Sequence, residues 1–366
     1  MDMLNGIHAI SRSAANRYGR ILRRSAQDAV SASELNDAIR GAQLWRDQHI
    51  TPTQNCFRAV LDECTDSFPQ PVCTYRLKRL VSIIRKLQRT RTHLHLGELD
   101  DIGGCRLIVD TIEEAREIWV KLRERLDIKS SKGEKNYIAQ PNVSGYRSHH
   151  LLTKNVVNNQ SYYVEVQIRT KLQHFWSTAV EAVGEIYGME YKSPEVRAHI
   201  SGEDSERIEF FRIVSSLFAL EEDSALVPGR EGSYADLCSR LRSLSCSQRL
   251  IKDLESSTDD VCKVNAEVAE GDTFFLLSFS REEQILNVMS FPDWDIDEAL
   301  NAYSNLEEDS TVLQMHGGLN SEMDMDTNGV LVHAQDFTQI SIAYPNYSAN
   351  MREFVDRAKD YLRMEI

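Results

Sequence analysis

Only seven cysteines occur in the 366 residues, and no two of them form a C-x-x-C pair. An odd count without such a pair argues against a disulfide framework or a zinc ribbon and points to a reducing compartment, so a cytoplasmic location is expected. Long apolar runs are missing too. No stretch approaches the roughly 18 apolar residues of a membrane span, and the N-terminus "MDMLNGIHAISRSAANRYGR" lacks a secretory core. No internal repeat and no low-complexity tract appear. What remains is 42% hydrophobic and 27% charged residues, which is ordinary globular composition and excludes disorder as the default.

Positive charge is scarce in one half only. Residues 1–200 carry 29 Lys and Arg against 23 Asp and Glu, whereas residues 201–366 carry 13 against 33. A mildly basic first half suits an anionic ligand, and the acidic second half repels one or serves as soluble, regulatory surface. Three parts are expected: a helical segment over 1–70, a mixed unit over 71–192, and a smaller acidic α+β domain over 206–366, with a junction at 192–205. Apolar spacing predicts helices in "GIHAISRSAANRYGRIL" and "SASELNDAIRGAQLWRDQHI", the second capped by Ser31 or Ser33. It also predicts one helix over "TYRLKRLVSIIRKLQRTRTHL", a strand at "CRLIVD", a helix at "TIEEAREIWVKLRERL", and a loop at "SKGEKNYIAQPNVSG". A short strand is expected at 151–154, a longer one at 161–169, and a helix from Thr170. Further on the pattern reads as helices at 206–221 and near 233–256, two strands around a turn in "DTFFLLSFSREEQILNVMSF", a helix in "DIDEALNAYSNLEED", a strand then a helix or second strand in "NGVLVHAQDFTQISIAYP" and a last helix in "SANMREFVDRAKDYL".

Within "SYYVEVQIRT" the side chains alternate. Tyr163, Glu165, Gln167 and Arg169 share one face, and Val164, Val166 and Ile168 the other. The apolar row is core; the polar row needs water or a ligand. Arg76, Lys78, Arg79, Arg85, Lys86, Arg89 and Arg91 surround the stripe of Leu77, Leu80, Ile84 and Leu87, beside Ser82. Arg offers phosphate a bidentate fork and Lys a point charge. In "DDIGGCR" two glycines allow a tight turn between Asp101 and Arg106. Asp101 and Glu165, from neighbouring strands, could share one Mg²⁺, a cation that needs few protein ligands, and Glu165 could take a proton from an attacking hydroxyl. Tyr146, in "GYRSHH", could present its ring to a nucleobase.

Taken in order, "YRLKRLVSIIRKL", "DDIGGCRLIVD", "KNYIAQPNVSGYRSHH" and "YVEVQIRTKLQHFW" closely resemble the synthetase domain of the RelA/SpoT alarmone family. The resemblance implies an α+β, nucleotidyltransferase-like mixed β-sheet flanked by helices. It implies transfer of pyrophosphate from Mg-ATP to the 3′-hydroxyl of GDP or GTP, with AMP released. By motif position it assigns Arg76, Lys78, Ser82, Lys86 and Arg106 to ATP, and Asp101 and Glu165 to Mg²⁺ and catalysis. Lys135, Tyr146, Arg147, His150, Gln167 and Arg169 fall on the acceptor side, with Tyr146 stacking on guanine. Glu181 stands near a histidine of the family pattern, and Ser144 where asparagine is common. Too few residues precede Arg76 for the family's hydrolase domain and no His-Asp dipeptide occurs, so no alarmone hydrolysis is expected. Three alternatives stay open at this point: a toxic relative that modifies the 3′ end of tRNA, one that makes adenosine alarmones, or an inactive nucleotide-binding regulator. The expected partners are ATP and GDP or GTP, with tRNA as the alternative and a homo-oligomer open; no membrane is expected.

Overall fold

A computed structural model describes residues 9–26, 28, 30–64, 67, 69–89, 94–130, 133–189, 191, 202–259, 263–280, 285–316, 328–340 and 350–363. Three helices come first: α1 (Arg12–Arg24), α2 (Ala32–Asp47, capped by Ser31) and α3 (Ile50–Cys64). Then follow β1 (Val72–Leu77), α4 (Leu80–Leu87), β2 (Gly103–Val109), α5 (Ile112–Arg125), β3 (Glu134–Asn136), β4 (His149–Val157), β5 (Gln160–Thr170) and α6 (Lys171–Tyr187). The remainder comprises α7 (Glu203–Glu221), α8 (Tyr234–Ser243), α9 (Ser247–Asp259), β6 (Lys263–Glu267), β7 (Phe274–Ser280), β8 (Ile285–Phe291), α10 (Ile296–His316), β9 (Asn328–His333) and α11 (Asn350–Arg363).

Two differences from the sequence reading matter for the site. The single helix expected over 74–94 is a strand followed by a short helix. Val72, Cys73, Thr74 and Tyr75 are strand formers, and Cys73 and Tyr75 fill one face of the sheet. Arg76 therefore projects from a strand, Lys78 from the strand–helix link, and Ser82 and Lys86 from one side of α4, four residues apart. Arg91 of the expected basic helix lies outside the described residues. The glycine pair does not make a turn either. Gly103 and Gly104 open β2 and neither has positive φ. Downstream, the helix expected over 233–256 is two, α8 and α9, broken where Glu206 accepts from the Cys246 backbone and the Ser245 hydroxyl.

Among the described residues nine strands form one sheet in the order β3-β4-β5-β2-β1-β9-β7-β8-β6. A separate C-terminal α+β domain was expected beyond the 192–205 junction, of which 192–201 lie outside the described residues. Instead β9 pairs antiparallel with β1 and carries β7, β8 and β6 into the same sheet. One face packs on α3, α5 and α10 through Phe57, Val60, Ile118, Leu122, Leu300 and Tyr303. A separate cluster joins α6 to α7, α8, α9 and α11, and another joins α1, α2 and α4.

The register fixes what shares the opposite face. Lys135 sits opposite His150, His150 opposite Gln167, Gln167 opposite Arg106, and Arg106 opposite Thr74. Thr74 continues to Val332 and Phe275, so this face is polar over β3–β2 and apolar towards the far strands. In the adjoining row Glu165 lies opposite Gly104, and Gly104 opposite Arg76.

Candidate active site

β5 supplies the centre of the polar face because its alternate residues Val164, Val166 and Ile168 are locked into the core on the other side. Thr170 ends the strand and caps α6 in a reciprocal box with Gln173, which holds Arg169 at a defined position. From this strand a closed ring of hydrogen bonds runs through five of the expected residues. Glu165 Oε1 meets His150 Nδ1 at 2.8 Å, and Glu165 Oε2 accepts from Gln167 Nε2 at 2.6 Å. Gln167 Oε1 accepts from Arg169, whose Nη2 also donates to Tyr146 Oη at 3.1 Å. Tyr146 Oη closes the ring on His150 Nε2 at 2.8 Å.

The ring polarises its members. Burial opposes charge on Glu165, but His150 outweighs it and holds the carboxyl down to about 2. Burial likewise opposes charge on His150, while Tyr146 and Glu165 push it up to about 9. Against the effect of burial, Arg169 and His150 bring the Tyr146 phenol down to about 8. Arg106 is the strained cation: burial, then the neighbouring Arg169 and Arg76, lower it to about 9. Its Nε and that of Arg169 are buried without a hydrogen-bond partner. Glu181, on α6, faces Arg106 and is its carboxylate counterweight.

Asp101 lies two residues before β2. Its Oδ2 accepts from Lys86 Nζ at 2.8 Å and Lys78 Nζ at 3.1 Å. Burial works against its charge, yet the two ammonium groups hold it far below the usual carboxylate range. Oδ1 is buried without a hydrogen-bond partner. Asp101 and Glu165 feel each other's charge, and Gly104, between Arg76 and Glu165 in register, puts no side chain on the floor there. Asp101 and Glu165 are the two carboxylates that would hold a magnesium ion, with Asp101 Oδ1 the oxygen left open. Among the described residues no three His, Cys, Asp or Glu side chains gather as a metal cage, and Mg²⁺ commonly takes one or two carboxylates and keeps its waters.

The expected residues do not all converge. Lys135 is exposed on β3, opposite His150, and Ser82 is half-buried on α4. Arg147 is a correction. It points away from Tyr146, is 2% exposed, and donates to Ser215 Oγ at 3.1 Å, Ser224 Oγ at 2.9 Å and the Ala225 carbonyl. It ties the Tyr146 loop to α7, because one residue along an extended segment reverses the side-chain direction. Tyr146 itself is half-buried, with Tyr137 edge-on at 5.8 Å, Trp176 at 6.5 Å and Arg169 over its ring at 5.6 Å.

A second set of residues, with no signal in the sequence, supports Lys78. Arg46 Nε donates to the Lys78 carbonyl at 2.7 Å, and Arg46 Nη1 pairs with Glu307 at 2.7 Å. Tyr303 donates to Glu307 at 2.6 Å and accepts from the Leu77 N–H at 2.9 Å. Arg46 and Glu307 are 261 positions apart, so only the fold brings them together.

Residues 75–194 match the family described as "Region found in RelA / SpoT proteins". GTP pyrophosphokinase YjbM of Bacillus subtilis is 31% identical over 126 residues, 33% of this chain and 59% of that protein. GTP pyrophosphokinase YwaC of the same organism is 35% identical over 111 residues, 28% of this chain and 52% of that protein. The chain thus spans between half and three-fifths of the length of these relatives. The solved small alarmone synthetase 1 from Bacillus subtilis, bound to its product pppGpp, aligns with a TM-score of 0.38 at 22% identity, over 48% of this chain and 92% of that one. Matched as one unit, the segment 75–194 of this chain is similar to the RelA/SpoT region.

Proposed function

We propose that this chain is a pyrophosphokinase that moves the β,γ-pyrophosphate of ATP to the 3′-hydroxyl of GDP or GTP. The observation that carries the reading is the crowding of Arg76, Arg106 and Arg169 on one sheet face beside the carboxylates Asp101 and Glu165. Guanidiniums that repel one another in a partly buried floor are relieved by a polyanion, and a triphosphate brings several oxygens to share among them. The names of the two relatives support the same reaction class.

In this reading Arg76, Lys78, Ser82, Lys86 and Arg106 bind and orient the ATP phosphates. Lys135, Tyr146, His150, Gln167 and Arg169 form the acceptor side. A magnesium ion held by Asp101 and Glu165 would neutralise triphosphate charge as it develops. The 3′-oxygen bonds to the β-phosphorus as the bond from that phosphorus to the α–β bridging oxygen breaks, and AMP leaves with the bridging oxygen. The hydroxyl proton passes to Glu165, one of whose oxygens is first released by Gln167 or His150. No covalent enzyme intermediate is required; alignment and charge neutralisation lower the barrier.

The test is a transfer assay with Mg²⁺ and ATP labelled in the γ-phosphate, offering GDP, GTP, ATP or deacylated tRNA separately. Label is expected on GDP or GTP, with a loss of about 100-fold or more in Glu165→Gln. Label on tRNA or on ATP would replace the acceptor. Transfer to none of them would overturn the enzymatic reading in favour of a nucleotide-binding regulator.

A further inference from the structure

At the end of the sheet far from the site, β6 is the outermost strand, and all five of its residues are exposed. It pairs parallel with β8 on one side only; no described strand pairs with its other edge. Such an edge presents backbone donors and acceptors in a row, which proteins blunt with charge or cover with a partner. Here the charges have a symmetry. Lys263 and Glu267 stand two residues either side of Asn265, on one face, and Val264 and Ala266 lie on the other.

We propose that two copies of this chain pair antiparallel through β6 about a two-fold axis at Asn265, joining their sheets edge to edge. The register follows from the chemistry. A two-fold axis perpendicular to the sheet keeps each face continuous only when it passes through a residue of the strand, because opposed side chains must share a face. Centred on Asn265, it uses the whole strand and sets Lys263 of each copy against Glu267 of its partner. Centred on Val264 or Ala266, it pairs fewer residues and leaves Lys263 and Glu267 without each other. In the favoured register Val264 of each copy meets Ala266 of the other, on the face where β8 already buries Leu286 and Val288. Val264 is 52% exposed in the single chain, so this apolar face stops short at the edge and the second copy continues it. Asn265 already donates to Asn287 Oδ1 at 3.1 Å, and the two-fold extends that amide pair into a four-residue ladder across the junction.

Sedimentation velocity on the full chain tests this. The native protein is expected to be a dimer at about 50 µM, and Lys263→Glu and Glu267→Lys are each expected to raise the dissociation constant at least about tenfold, because each places like charges opposite one another. The double variant Lys263→Glu/Glu267→Lys restores opposite charges and is expected to recover the dimer. Both changes lie on an exposed edge, so the far-ultraviolet circular dichroism spectrum should be unchanged. A monomeric native protein, single variants with an unchanged dissociation constant, or a folded double variant that stays as weak as the single ones would each overturn the proposal. None of these outcomes depends on the reaction proposed above.

Discussion

The cations at the site are held in three ways. Lys78 and Lys86 share one oxygen of Asp101, Arg169 is fixed by Gln167 and Tyr146, and Arg106 is left crowded by other guanidiniums. Arg147 lies in the same motif and does a different job, because its neighbours are Ser215, Ser224 and the Ala225 carbonyl. Residue type and spacing could name the row on β5, whose alternation is explicit, but they could not say which way a loop residue turns. His49 behaves as a core residue rather than a ligand. It sits between Trp45 and Tyr162, bonded to the Trp45 carbonyl at 2.8 Å, and burial pulls it down to about 4. His149, stacked on Trp119, is lowered to about 4 as well, by burial and then by His150. An unfolded histidine titrates near 6.5, so between there and about 4 the unfolded chain binds more protons than the folded one. The stability these rings contribute is full above about 6.5 and is lost as pH falls, by up to about 3 kcal/mol for each ring. Urea unfolding between pH 7 and 4.5 is therefore expected to show a shallower decline in His49→Gln than in the native chain, and an unchanged slope would refute the assignment.

At the scale of elements, the strand β1 was hidden because the leucines and isoleucines after it keep helical spacing straight through its last residues. Only the packing of Cys73 and Tyr75 against the sheet reveals it. The strand β6 was hidden for the opposite reason: its five residues have no buried face. The glycines of β2 show how one element sets the position of another. A Cβ on Gly103 would lie 2.0 Å from Thr53 Oγ1, and Thr53 is fully buried and bonded to the His49 carbonyl at 2.6 Å. Because Thr is stiff at χ1, it cannot swing aside without losing that bond. Gly103→Ala is expected to cost about 1–3 kcal/mol in urea unfolding, with part of the loss recovered in the double variant Gly103→Ala/Thr53→Ala. Equal stability of Gly103→Ala and native protein would mean that α3 is not pressed on β2 as described.

Over the whole molecule, the composition break near residue 200 is a change of charge and not a division of the sheet. β9 covers the edge that β1 would otherwise expose, and Phe274, Leu276, Phe291, Leu300, Tyr303 and Leu331 complete the core under the site strands. The acidic half is also tied in by charge, through Glu307 on Arg46 and Asp297 on Arg58. A fragment of residues 1–200 loses these six side chains, at roughly 1.5–3 kcal/mol each, which equals or exceeds the whole stability of a typical domain. It is expected to lack a cooperative unfolding transition by circular dichroism. A folded, active fragment would restore the picture of a separable C-terminal domain.

Local chemistry was enough to specify the mixed α+β class, the strand over 161–169 with its two unlike faces, and the α5 and α6 helices. These depend on side-chain alternation, helical periodicity and motif order, which are written along the chain. The position of β1, the turning away of Arg147, the ring that Tyr146 and His150 close with Glu165, and the support of Lys78 by Arg46, Tyr303 and Glu307 depend on contacts between residues far apart in sequence. Such contacts leave no local trace, because their free energy comes from burial and pairing that exist only after the sheet has assembled.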